Sequence, residues 1–196
     1  IMLIIFIIAI LAVTLYSFTS RDPDFQTGNL EIAPSRAVQG EPVGIKVDVM
    51  NLGDEGGSYN ISLKINDTIV ENKKTVLGNG NSKQVWFNVR EQETGTYRVS
   101  VGDLTGTFVV VSPAEFNVND LEIHPKMPDI NEKVNVSVSV KNTGGIAGVK
   151  SLNLTVDGQV ESQKSISLNP GEEKEVSFTL RKEESKEYNI RVEGLN

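Results

Sequence analysis

The chain has 196 residues, with 26 Asp and Glu against 19 Lys and Arg, one His, no Cys and a formal net charge of −7. That balance argues against nucleic acid as a partner, since no basic stripe is present to neutralise phosphates. Without thiols there is neither a disulfide framework nor a thiolate metal site, and the acidity reads as solubility.

Residues 1–20 open with an apolar run, IMLIIFIIAILAV, that continues through Leu15, Tyr16 and Phe18, and no charge occurs before Arg21. About twenty such residues in a helix span about 30 Å, the thickness of a bilayer's hydrocarbon core. Nothing basic precedes the run, unlike a secretory signal or an ordinary membrane anchor. The expectation is a processed protein that retains a hydrophobic helix, buried in lipid or against copies of itself. On this reading Ile1, Met2, Leu3, Ile4, Ile5, Phe6, Ile7, Ile8, Ile10, Leu11, Val13, Leu15, Tyr16 and Phe18 form the assembly surface. Residues 21–28 read as a linker, because Pro23 disfavours helix at Asp22 and the stretch is short and polar.

From there the chain is one domain written twice, at an offset of 91 residues. Leu30-Glu31-Ile32-Ala33-Pro34 matches Leu121-Glu122-Ile123-His124-Pro125. Val47-Asp48-Val49-Met50-Asn51-Leu52-Gly53 matches Val138-Ser139-Val140-Lys141-Asn142-Thr143-Gly144. Further on Leu77 meets Leu168, Gly80 meets Gly171, Phe87 meets Phe178 and Tyr97 meets Tyr188, with no gap. The domains are placed at 29–112 and 115–196, with a joint too short for free tumbling. Within each copy Val43-x-Ile45-x-Val47-x-Val49 and Val134-x-Val136-x-Val138-x-Val140 alternate with period two, the mark of half-buried strands. Turn residues punctuate such runs throughout. The fold class expected is mostly β: an N-terminal hydrophobic α-helix followed by two tandem immunoglobulin-like β-sandwiches.

The pattern Val-x-x-x-Asn-x-Gly, Leu-x-x-Gly before Val-x-Phe, then Tyr-x-Val, resembles the CARDB-like, immunoglobulin-type repeats of bacterial and archaeal surface proteins. The apolar N-terminus joined to such a sandwich resembles archaeal type IV pilins and archaellins. Where bacterial members of that family carry Glu, this chain has Ile5. The resemblance implies a structural subunit of a pilus-like extracellular filament, its helices in the core and its sandwiches outside, used for adhesion. It implies as partners copies of the chain itself, a host surface or other cells, and the membrane before assembly. The alternative is a surface protein anchored by one transmembrane helix, with its CARDB-like domains as spacer or binding module.

No catalytic set converges, so the chain reads as no enzyme and no cofactor is expected. His124 stands alone, and its first-copy equivalent is Ala33. The pairs Asp54-Glu55 and Glu183-Glu184 lie outside any calcium-loop pattern. Trp86 sits between inward Val85 and Phe87, so it points outward, where an aromatic favours an interface; its counterpart is Ser177. Asn60, Asn66, Asn135 and Asn153 begin N-x-S/T sequons and are candidate glycosylation sites. Lastly, the strand Thr107–Val111 has no second-copy counterpart, since Phe108 would map to position 199. Three accounts stand open: the natural chain continues, the sheet ends early, or a strand of another chain pairs there.

Overall fold

The computed structural model describes residues 22–193 and 195. These contain fourteen β-strands and no helix. The expected class of helix plus sandwiches is therefore corrected to a mostly-β fold: from Phe25 to Val192 the apolar residues recur with period two, leaving no stretch with a helical stripe. The helix expected over 1–20 falls outside the described residues. No helix among those described is long and apolar enough to cross a membrane.

The first sandwich comprises β1 (Phe25–Ala33), β2 (Arg36–Val38), β3 (Pro42–Asn51), β4 (Gly57–Ile65), β5 (Thr68–Leu77), β6 (Ser82–Arg90), β7 (Gly95–Val101) and β8 (Leu104–Val111). A three-stranded sheet, β1-β3-β6, faces a five-stranded one, β2-β8-β7-β4-β5. The second sandwich comprises β9 (Phe116–His124), β10 (Val134–Asn142), β11 (Gly148–Val156), β12 (Gln159–Leu168), β13 (Glu173–Leu180) and β14 (Ile190–Val192). Its sheets are β13-β10-β9 and β12-β11-β14. Strand β1 begins inside the stretch read as linker, because Phe25 stacks on Tyr59 with ring centroids 5.1 Å apart. Its 91-residue counterpart, Phe116, opens β9.

Alternation places the cores. Val43, Ile45, Val47 and Val49 turn inward toward Ile61, Leu63, Phe87 and Phe108. Val134, Val136, Val138 and Val140 do the same toward Leu152, Leu154 and Phe178. The hairpins repeat as well. Asn66-Asp67 and Asp157-Gly158 take positive φ at both central positions, the turn whose twist matches the strands it joins.

Each core also contains one polar side chain that ties the two sheets together. Asn51 is fully buried at the end of β3, on the inward parity of its valines. Its Oδ1 accepts from the amides of Asp24 and Gly53, both at 3.1 Å. Its Nδ2 donates to the carbonyls of Glu55 (2.7 Å), Gly78 (3.2 Å) and Leu77 (3.3 Å). Asn142 repeats this, accepting from Gly144 (2.9 Å) and Glu115 (3.3 Å) and donating to Ile146 (2.8 Å) and Leu168 (3.1 Å). The glycine two residues on is a matter of space. A Cβ at Gly53 would lie 2.3 Å from the Asp22 carbonyl oxygen, and one at Gly144 would lie 2.1 Å from that of Pro113. The leading segment of each sandwich therefore crosses directly over its Asn-x-Gly. In the second sandwich that segment is the joint between the domains, and Arg36 Nη2 adds a bond to Gly145 O across it (2.7 Å).

Replacing Asn142 with Leu removes every one of these bonds while keeping the volume. Buried donors and acceptors left unpaired cost about 1–3 kcal/mol each, so the variant should lose at least about 3 kcal/mol. Urea denaturation of the pair checks this, and a loss under about 1 kcal/mol would show that the amide does not hold the sheets together.

Candidate interaction surfaces

The outward face of the sheet β1-β3-β6 carries the most distinctive exposed group. Trp86 is 55% exposed. It pairs across the strands with Lys46, whose Nζ lies 5.4 Å from the ring centroid. Lys46 is in turn fixed by the Glu31 carboxylate at 2.6 Å, from the neighbouring strand β1. A cation held over an indole orients the ring at modest energy, about 0.5–1 kcal/mol at an exposed site. The Trp86 carbonyl accepts from Lys73 Nζ, which reaches over from β5 and lies 5.0 Å from the Phe87 ring centroid. The second sandwich keeps that latch, with Lys164 donating to the Ser177 carbonyl and lying 5.5 Å from the Phe178 ring. It does not keep the indole. The latch is common to both copies, whereas the flat aromatic surface belongs to the first alone.

The sequon asparagines are scattered. Asn60, Asn66 and Asn135 are exposed, on β4, in the β4–β5 turn and on β10. Asn66 Oδ1 accepts from the Arg98 amide at 2.9 Å. Asn153 is half-buried on β11, and its Oδ1 accepts from Gln163 Nε2 at 3.0 Å. These four do not converge on one patch. His124, Asp54, Glu55, Glu183 and Glu184 are all exposed, and among the described residues no three His, Cys, Asp or Glu gather as a metal would require.

The Glu193 carboxylate is held by two donors. Burial pushes Glu193 up, but Lys150 Nζ at 2.9 Å and the Asn153 amide at 3.0 Å outweigh it and keep the group below its ordinary range. Its contribution is present above the unfolded-state pKa and is lost as pH falls through the lowered folded value. Glu193 pins the turn after β14 to β11.

Sequence reasoning passed over the two buried asparagines, treating Asn-x-Gly as turn punctuation. The signal was available in parity: Asn51 and Asn142 each continue the inward register of a valine strand.

Comparison with known proteins agrees with the sandwich. Residues 114–193 match the CARDB family model, so this part of the chain is a CARDB domain, a non-catalytic immunoglobulin-like unit. The preceding sandwich repeats its strand pattern at the 91-residue offset. A 92-residue stretch is 34% identical to a thermostable beta-glucosidase B of Acetivibrio thermocellus, covering 42% of this chain and only 12% of that enzyme. Among solved structures, the CARDB domain of a Pyrococcus furiosus protein, in complex with di-metal ions, is 25% identical over 48% of this chain and 99% of its own, with a TM-score of 0.41. A beta-glucosidase from Listeria innocua, in complex with glucose, is 21% identical over 45% of this chain and 16% of its own, with a TM-score of 0.38.

If the indole serves an interface and not the core, Trp86→Ser should cost less than about 1 kcal/mol. The variant's urea midpoint should stay close to that of the parent while any self-association weakens. A large loss of stability would assign the ring to packing.

Proposed function

We propose that this protein is a structural, non-catalytic component of the cell exterior, the subunit of a pilus-like filament. Its two sandwiches form the solvent-facing part. The apolar segment from Ile1 to Phe18 is what copies bury against one another. The observation that carries this reading is the pairing, in one chain, of an uncharged apolar run with two sandwiches that offer no convergent chemistry among their described residues. The run has no polar face to present to water. The joint at Pro113–Glu115, packed on Asn142 and Gly144, with Arg36 bonded to Gly145 beside it, suits a fixed spacer better than a hinge. The outward Trp86 surface and the sequon asparagines are where such a subunit would meet neighbours or carry glycans.

A second reading, a single surface protein held in lipid by the same run, is favoured by the run's length. The two separate on one substitution. Ile8→Asp places a charge in the middle of the segment, which a dry packed core tolerates only at several kcal/mol. The filament reading expects Ile8→Asp to abolish assemblies seen by electron microscopy and to leave dispersed subunits. Filaments at normal yield would contradict it, and a parent protein that stays monomeric in membranes supports the anchor instead.

A further inference from the structure

The outward faces of the two three-stranded sheets can be compared row by row, because β1-β3-β6 and β9-β10-β13 pair in one register. In the first sandwich the middle row is Glu31, Lys46 and Trp86, one residue from each strand. In the second it is Glu122, Ser137 and Ser177. Two residues along, the first has Ala33, Gly44 and Asn88 where the second has His124, Asn135 and Thr179. The relief is therefore inverted. The first face raises a ridge of long side chains beside a row of small ones, and the second is low where the first is high.

Folding does not require the ridge. The second sandwich builds its matching core with serine at the positions of both Lys46 and Trp86. Nor does the backbone call for glycine at 44. The residue lies inside β3 with no positive φ, and a Cβ there would meet the Ala33 carbonyl oxygen at 3.4 Å and Asn88 Oδ1 at 3.8 Å, ordinary contacts. Gly44 and Ala33 leave the surface beside the indole low. Rows two residues apart lie about 7 Å apart along a strand, room for one small ring above the low row. Trp86 and Glu31 are both diagonal neighbours of Gly44, and long side chains reach across such a diagonal.

The ridge is also fixed. Glu31 holds the Lys46 ammonium at 2.6 Å, and that ammonium lies 5.4 Å from the Trp86 centroid, so the ring is oriented while it stays exposed. A rigid aromatic of this kind anchors binding surfaces. The groups around it decide what it anchors. Trp86 is the one large apolar side chain in the two rows, whereas a protein partner needs an apolar centre and about 800 Å² on each side. Glu31 and Lys46 neutralise each other and the chain carries −7, so a polyanion finds no surplus of cations. A carbohydrate ring fits what is left: its C–H face stacks on an indole, and its hydroxyls need donors and acceptors side by side. The Asn88 amide supplies both, and the Glu31 side chain, 63% exposed, supplies an acceptor.

We propose that the outward face of β1-β3-β6 is a binding site for a neutral polysaccharide. One sugar ring sits over Gly44, against the indole of Trp86 on one diagonal and the Glu31 carboxylate on the other, with Asn88 beside it. The site needs only residues of the first sandwich, so it serves a filament subunit and a lipid-held protein alike.

Trp86 is the single tryptophan of the chain, and its emission therefore reports this site alone. The test titrates the full chain, in a detergent without a sugar headgroup, with soluble β-glucan, mannan and chitin oligomers, and with heparin as the anionic control. At least one neutral polymer should give a saturable shift in emission, and heparin none. Gly44→Asn places the second copy's residue in the low row and leaves the indole intact. It should weaken that binding at least about tenfold with little change in thermal midpoint. Trp86→Ser, followed by mobility in gels that contain the polysaccharide, should abolish it. No shift with any of the neutral polymers overturns the proposal, as does binding by Gly44→Asn equal to the parent's. So does emission that changes with protein concentration alone while sedimentation shows dimers, since a second copy would then own the face.

Discussion

One buried amide in each sandwich sets the conditions for the rest. Asn51 and Asn142 close the loop between strands β3 and β4, and β10 and β11, receive the segment that leads into the domain, and bond to the end of the opposite sheet. A carboxylate could not donate and an apolar residue could do neither. Only a side chain with two donors and an acceptor at one tip serves both sheets at once. The low dielectric that strengthens these bonds also makes them costly to break, so the position is fixed by the penalty for failure as much as by the gain. The glycine two residues along follows from the same arrangement, because the leading backbone passes where its Cβ would stand.

That arrangement also turns the joint between domains into part of the second fold. Pro113 to Glu115 does the work in the second copy that Asp22 to Asp24 does in the first. A segment pinned by the buried amide, beside a direct bond from Arg36 to Gly145, is not a free tether. The proposed spacer role rests on this continuity.

The repeat was legible because period-two alternation and ungapped spacing survive in the raw chain. Phe87 and Phe178 could be placed in matching core positions from parity alone, and both are buried. Trp86 pointed outward for the same reason. Less was legible where tertiary contact decides. Nothing local marks Phe25 as the start of a strand, since its warrant is Tyr59, more than thirty residues away. The buried asparagines were hidden by their own type, because Asn before Gly reads as a turn until its parity is followed. The irregularity of 127–129 and 186–189 could not be read from their residues, since their counterparts become strand only through pairing with β8.

The central claim is that the two copies share one scaffold and differ by what β8 holds. Native-state amide exchange on the unmodified chain tests it most directly, residue by residue. The account predicts slow exchange for the β8-paired amides of Gly95–Arg98 and fast exchange at their counterparts, residues 186–189, while Val99–Val101 and Ile190–Val192 are both protected. Equal protection of 95–98 and 186–189 would contradict it.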